Sequence, residues 1–211
     1  MARKALKLFA LGGLLGPVLF TVTSIVCAAL RPGYSHISNF ISELGATGTD
    51  HAAWMNFMGF IPSGLMIALF GWSLNRNLQK GFIAQAGSVL ITLFGMGMTV
   101  VGFISCDPGC PKLGSIENNL HDQISGPIFM LATIGVLLVG IAFIRLSAYR
   151  NFGIYSVISA LFSLGFIILL ANSLVARQLT GLWQRLFLLT LFSWFGAAGM
   201  LIYKFENIDK Q

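Results

Sequence analysis

The chain has 211 residues, of which 56% are hydrophobic and only 9% charged, whereas a soluble domain carries about 25% charged residues. Its mean hydropathy of +0.82 extends over nearly the whole length, which excludes a water-soluble globule, a secreted domain behind a leader, and a soluble protein with one anchor. The net charge of +6 is in such a chain first a topology signal, and neither a nucleic acid nor a nucleotide is expected as a partner.

About 20 mostly apolar residues are needed to cross about 30 Å of hydrocarbon as a helix. The first such stretch is 8–30, preceded by Arg3, Lys4 and Lys7. It is longer than the roughly 7–15 apolar residues of a secretory leader and reads as a retained span. Pro17 should kink it, and Cys27 is a lone buried thiol within it.

The next segment, RPGYSHISNFISELGATGTDH from Arg31 to His51, has helical order. Ile37, Phe40, Ile41 and Leu44 recur at i, i+3, i+4 and i+7, Pro32-Gly33 precedes them and Gly45 is a natural stop. The pattern predicts a short amphipathic helix at the interface or in the bundle mouth. On it His36 and Glu43 share a face about two turns apart; a merely solvated face accounts for them equally well.

The second span is 54–74, with a kink expected at Pro62, and the third is 82–104. The connection CDPGCPKLGSIENNLHDQISG then runs from Cys106 to Gly126. Asp-Pro-Gly between Cys106 and Cys110 is a turn that brings two thiols together, so a local disulfide is expected in an oxidising compartment. A CxxxC redox pair is less suited, since no basic cluster lowers a thiol pKa there. A zinc site built on these thiols would need two histidines as further ligands.

His121 and Asp122 fall at the lip of the fourth span, 124–144, with Ser125 one turn beyond His121. Ionisable groups at a bundle mouth are candidates for function, although Asp122 also suits a helix N-terminus and His121 can reach water. The fifth span is 153–175 and the sixth 183–203; between them NSLVARQLTGLWQR ends on Arg185, which could pair with Glu43 or Asp107, bind a lipid phosphate, or snorkel.

Lys and Arg in alternate connections place nine residues on one side (Arg3, Lys4, Lys7, Arg76, Lys80, Arg145, Arg150, Lys204, Lys210) and four on the other (Arg31, Lys112, Arg177, Arg185). Basic residues are retained in the cytoplasm, so both termini are expected there, in a prokaryotic cytoplasmic membrane. All three histidines and five of the seven acidic residues then lie outside. The expected architecture is all-α: a single domain, 1–211, of six transmembrane helices with a short amphipathic helix in the first outer loop. Recurrent small residues such as Gly87, Gly95 and Gly102 point to close helix packing.

With these residues in view, the chain resembles an uncharacterised bacterial and archaeal membrane family catalogued as domain of unknown function 998. The likeness covers nearly the whole chain. It rests on Ser42 to Gly45, on Asn56 with Phe57 and Gly59, on Gly102-Phe103 leading into Cys106 and Asp107, on His121 to Ser125, and on Gly181 with Arg185. It implies a six-helix fold and no particular reaction.

Two functional expectations follow. One is a lipid-binding or structural bundle held by a Cys106–Cys110 disulfide and by ion pairs such as Glu43 with Arg185. The other is a membrane-embedded hydrolase of lipid or amphipathic substrates, using His121, Glu43, Asp107 and Ser42, with Arg185, His36 and Asp122 as anion or substrate holders. A divalent metal such as zinc on His121, His36 and Asp107 would suit it; without metal, His121 would act as base toward Ser42 or Ser125. A transporter is a third, weaker fit, because the spans carry few ionisable residues near their midpoints.

Overall fold

A computed structural model describes residues 2–77 and 81–204, which are all-helical in their regular structure. Lys80, Glu206, Asp209 and Lys210 of the charge tally lie outside the described residues. In chain order the helices are α1 (Ala2–Ala10), α2 (Gly12–Leu30), α3 (Ala52–Trp54), α4 (Ile61–Asn77), α5 (Phe82–Val101), α6 (Ile116–Ile144), α7 (Arg150–Ser173) and α8 (Thr180–Lys204). A π-helical segment, Met55–Phe60, joins α3 to α4, and 3-10 turns occupy Ser42–Gly45 and Ser147–Tyr149.

Among the described residues six helical runs are long and apolar enough to cross a membrane: Lys4–Leu30, Ala52–Asn77, Phe82–Val101, Ile116–Ile144, Ser147–Ser173 and Thr180–Lys204. Each packs on its neighbour in sequence, and α2 packs against both α4 and α8, so the spans close into a ring. Lipid tails are as apolar as leucine, so close van der Waals approach and hydrogen bonds must hold the helices together. At the α5–α6 contact a Cβ on either Gly87 or Gly135 would come within 2.8 Å of the other's carbonyl oxygen, so only glycine permits this approach.

Inside the ring Phe70, Phe187, Trp194 and Phe195 are fully buried. The indole N–H of Trp194 donates to Ser156 Oγ at 2.7 Å, and that hydroxyl donates to Phe152 O one turn back at 2.7 Å. A polar atom deep in the bundle is thereby satisfied without a charge.

Three local features differ from the expectations. The amphipathic helix expected from the periodicity of Ile37, Phe40, Ile41 and Leu44 does not form: the segment is a chain of turns ending in the 3-10 turn Ser42–Gly45. Its backbone groups are claimed by other elements, as when Ile41 N donates to Gln184 Oε1 on α8 at 2.8 Å. The fourth span begins at Ile116 rather than 124, because Ser115 Oγ caps it by accepting from Asn118 N at 3.1 Å. Two polar turns, ENNLHDQ, are therefore helix that a hydropathy reading leaves out. At Pro62 the disturbance sits one turn earlier, in Met55–Phe60; Met58 O, which a residue with an N–H at 62 would bond, accepts from Thr23 Oγ1 at 3.4 Å.

Candidate functional site

The segment after α2 folds onto the start of α8. Arg185 donates from Nη1 to Asn39 O (3.1 Å) and Gly181 O (3.0 Å), and from Nη2 to Tyr34 Oη at 2.6 Å. Leu182 N donates to Ile37 O at 2.9 Å. A Cβ at Gly181 would sit 2.3 Å from Asn39 O, so the two backbones meet only because residue 181 has no side chain.

Glu43 is 4% exposed. Its carboxylate accepts from Asn39 Nδ2 at 2.8 Å and Phe40 N at 2.9 Å, and Arg31 Nη1 donates to its carbonyl. The expected Glu43–Arg185 pair is replaced by these bonds, each group instead tying down the same loop. His36 is exposed beside Tyr34; partial desolvation, and then Arg185, lower its pKa from the usual 6.5.

The Cys106–Cys110 connection is organised the same way. Their Sγ atoms are at bonding distance, 2.03 Å, with Cα atoms 5.1 Å apart. Asp107 accepts from Ser115 N and Ser115 Oγ, both at 2.7 Å, and these two donors hold its pKa below the ordinary carboxylate value. Asn118, fully buried, accepts from Asp107 N at 3.1 Å and donates to Pro111 O at 2.9 Å. Asn56 donates to Gly45 O and Ser105 Oγ, both at 3.0 Å, tying the two connections together.

Between these capped connections and the buried Phe94 of α5 lies a cavity of about 810 Å³, open on the side of Gly126 and Val175. Phe94, Met98, Phe129, Ile167, Leu170 and Leu188 line its apolar depth. Residues 121 and 129 of α6 both line it, a helical rise of about 12 Å. Its polar wall lies toward the cysteine-pair end and comprises Ser42, Lys112, His121, Asp122, Ser125, Arg177 and Gln184.

His121 is the buried titratable group there, 4% exposed. Its Nδ1 lies 2.7 Å from Ile104 O. A carbonyl only accepts, so the neutral ring carries its proton on Nδ1, which leaves Nε2 as a proton acceptor for the cavity. Gln184, 7% exposed, has its Oε1 taken by Ile41 N, which leaves its NH2 as a donor. Arg177 donates to Gly109 O at 3.1 Å and also to Cys110 O, with its guanidinium 5.0 Å from the centre of the Phe40 ring. Arg177 and His121 both lie near enough to Asp122 to act on it electrostatically.

The sequence-derived set therefore divides. His121, Ser42, Asp122 and Ser125 line the cavity; Glu43, Asp107, His36 and Arg185 do not. The proposed metal set of His121, His36 and Asp107 is not brought together, and among the described residues no three His, Cys, Asp or Glu side chains are grouped to hold an ion. Arg177, Lys112 and Gln184 were not singled out. Arg177 and Lys112 counted only as loop charges, and Gln184 is a neutral residue beside the conspicuous Arg185.

The family model described as "Protein of unknown function (DUF998)" matches residues 14–201. The chain belongs to the DUF998 family. No curated protein and no solved structure matches it. Several motifs that carry the DUF998 resemblance are docking devices: Glu43 ties the first connection to itself, while Gly45, Asn56, Asp107, Gly181 and Arg185 pin connections to helix ends. His121 joins that anchoring to exposure on the cavity.

Proposed function

We propose that the protein is an integral membrane protein that binds a lipid or other amphiphile, with the apolar part in the cavity and the polar head against His121, Arg177 and Gln184. The observation carrying this reading is the cavity itself: about 810 Å³, apolar in depth and polar on one side only. That volume lies within the roughly 300–1,000 Å³ of small-ligand sites, and the one-sided polarity matches a molecule with a head and a tail. With the basic residues of the other side in the cytoplasm, the mouth faces outward, and the headgroup is taken from the outer leaflet of a prokaryotic cytoplasmic membrane.

The test is native mass spectrometry of the purified chain after mild delipidation. Wild type should retain one amphiphile per chain. Gly126 lines the cavity, and a Cβ there meets nothing within 4 Å, so Gly126→Phe should fold and lose the bound molecule. A wild type that carries and rebinds no amphiphile would overturn the reading.

A second reading, ester hydrolysis, is favoured by one observation: Nδ1 of His121 is fixed by a carbonyl, which leaves Nε2 as a base toward water, Ser42 or Ser125. Release of fatty acid from a lipid ester by wild type, but not by His121→Asn, would establish it.

A further inference from the structure

The amphiphile-binding reading leaves the headgroup chemistry open, and the polar wall narrows it. Arg177 spends two N–H groups on the carbonyls of Gly109 and Cys110. A guanidinium has five, so three remain on a side chain that lines the cavity. The two carbonyls and the Phe40 ring fix the group in place without cancelling its charge. Lys112 adds a second cation on the same wall, from an exposed position. The Gln184 NH2 adds neutral donors from the opposite element, α8.

The wall thus offers more donors, from more directions, than the two oxygens of a carboxylate can accept. Asp122 is the one carboxylate among the lining residues. Two permanent cations against it leave one net positive charge, which matches the single negative charge of a phosphodiester.

Resting on the amphiphile reading of this same cavity, we infer that the headgroup it takes is a phosphodiester, held by Arg177 and Lys112 with the amide of Gln184. Arginine's planar fork suits two phosphate oxygens, and the lysine acts as a point charge on another. Asp122 accepts hydrogen bonds from hydroxyl or amine groups on the far side of the phosphate.

The experiment titrates the purified full-length chain, in uncharged detergent, with four probes: lysophosphatidylglycerol, a monoacylglycerol and a free fatty acid of the same chain length, and inorganic phosphate. The phospholipid should bind at least about tenfold more tightly than the monoacylglycerol, as expected for hydrogen bonds to a charged group. Arg177→Gln and Lys112→Gln should each shrink that preference, read as the ratio of the two affinities within the same variant. Lys112 is exposed, so its variant guards against an effect of Arg177→Gln on the loop it anchors.

Equal binding of phospholipid and monoacylglycerol, or a preference that survives both substitutions, overturns the inference. A fatty acid that binds as tightly as the phospholipid overturns it too, reducing the wall to a general anion site. Arg177-dependent binding of inorganic phosphate with no phospholipid bound overturns the phosphodiester headgroup, since the wall would then take free phosphate. Failure of both the phospholipid and the monoacylglycerol to bind removes the amphiphile reading, and this inference with it.

Discussion

Gln184 Oε1 accepts the backbone N–H of Ile41 at 2.8 Å across 143 positions of sequence. One amide side chain therefore both anchors the first connection and lines the cavity beneath it. Gln184→Leu leaves the buried N–H of Ile41 unpaired, at a cost of about 1–3 kcal/mol. A lowered thermal midpoint in detergent, together with faster proteolysis between Arg31 and Gly45, is the expected result.

Gly181→Ala tests the same junction sterically. The new methyl would lie 2.3 Å from Asn39 O and 2.7 Å from His36 O, both backbone atoms that yield only if the segment lifts. Destabilisation and proteolysis at 31–45 are expected. Gly126→Ala, with nothing within 4 Å of its Cβ, should leave the stability within about 1 kcal/mol of wild type.

For His121 the two ring nitrogens can be separated by substitution. Asparagine can place an N–H near the Nδ1 position and keep the bond to Ile104 O, but has nothing at Nε2. His121→Asn should therefore retain stability to within about 1 kcal/mol, whereas His121→Ala, which orphans the carbonyl, should lose about 1–3 kcal/mol. Lipid release by mass spectrometry and thermal unfolding, measured on both variants, distinguish an anchor from a proton acceptor.

Asp107 sets an acid limit. Its folded pKa is depressed by the N–H and hydroxyl of Ser115, relative to an ordinary value of 3.8. The bonds to Ser115 thus contribute stability in full above that ordinary value, and the contribution is lost as pH falls through the lower folded value. Proteolysis of the 105–115 connection should accelerate across that acid window in wild type. Asp107→Asn, with no carboxylate to titrate, should show weaker anchoring at neutral pH and a flatter acid limb.

Cys106 and Cys110 close the turn whose last two carbonyls, of Gly109 and Cys110, hold Arg177. Opening so short a ring costs about 2 kcal/mol on a chain-entropy estimate. Reduction of the oxidised protein should lower the thermal midpoint and loosen Arg177 at the same time. Phospholipid binding should weaken more than binding of an uncharged amphiphile; equal weakening would dissociate the cysteine pair from the arginine.

The six spans were legible because the constraint behind them is severe: about 20 apolar residues per crossing and basic residues confined to connections. Where polar residues belong to helix, the same reasoning ran short. ENNLHDQ is helical because Ser115 caps it, a signal present in the sequence but outweighed by polarity. The 37–44 periodicity was real and misleading: Ile41 and Leu44 are buried as expected, yet Ile41 N pairs with α8 and Leu44 N with Ile41 O in a 3-10 turn, not in an α-helical ladder. Charge drew attention to Glu43, Asp107 and Arg185, and charge hydrogen-bonded at a junction is also what a loop clasp requires. Sequence spacing does not distinguish a clasp from a site; Arg177 and Gln184 became visible only when the ring closed around them.

The π-helical segment Met55–Phe60 sets the rotational phase of everything before it against α4. Each residue added to or removed from a helix turns the preceding part by about 100°, so deletion of one residue here would swing Asn56 away from Gly45 O and Ser105 Oγ while α4 kept its contacts with α5. The extra residue is a phase shim: it lets the bundle's packing register and the azimuth of its loop clamp be tuned independently within one membrane crossing.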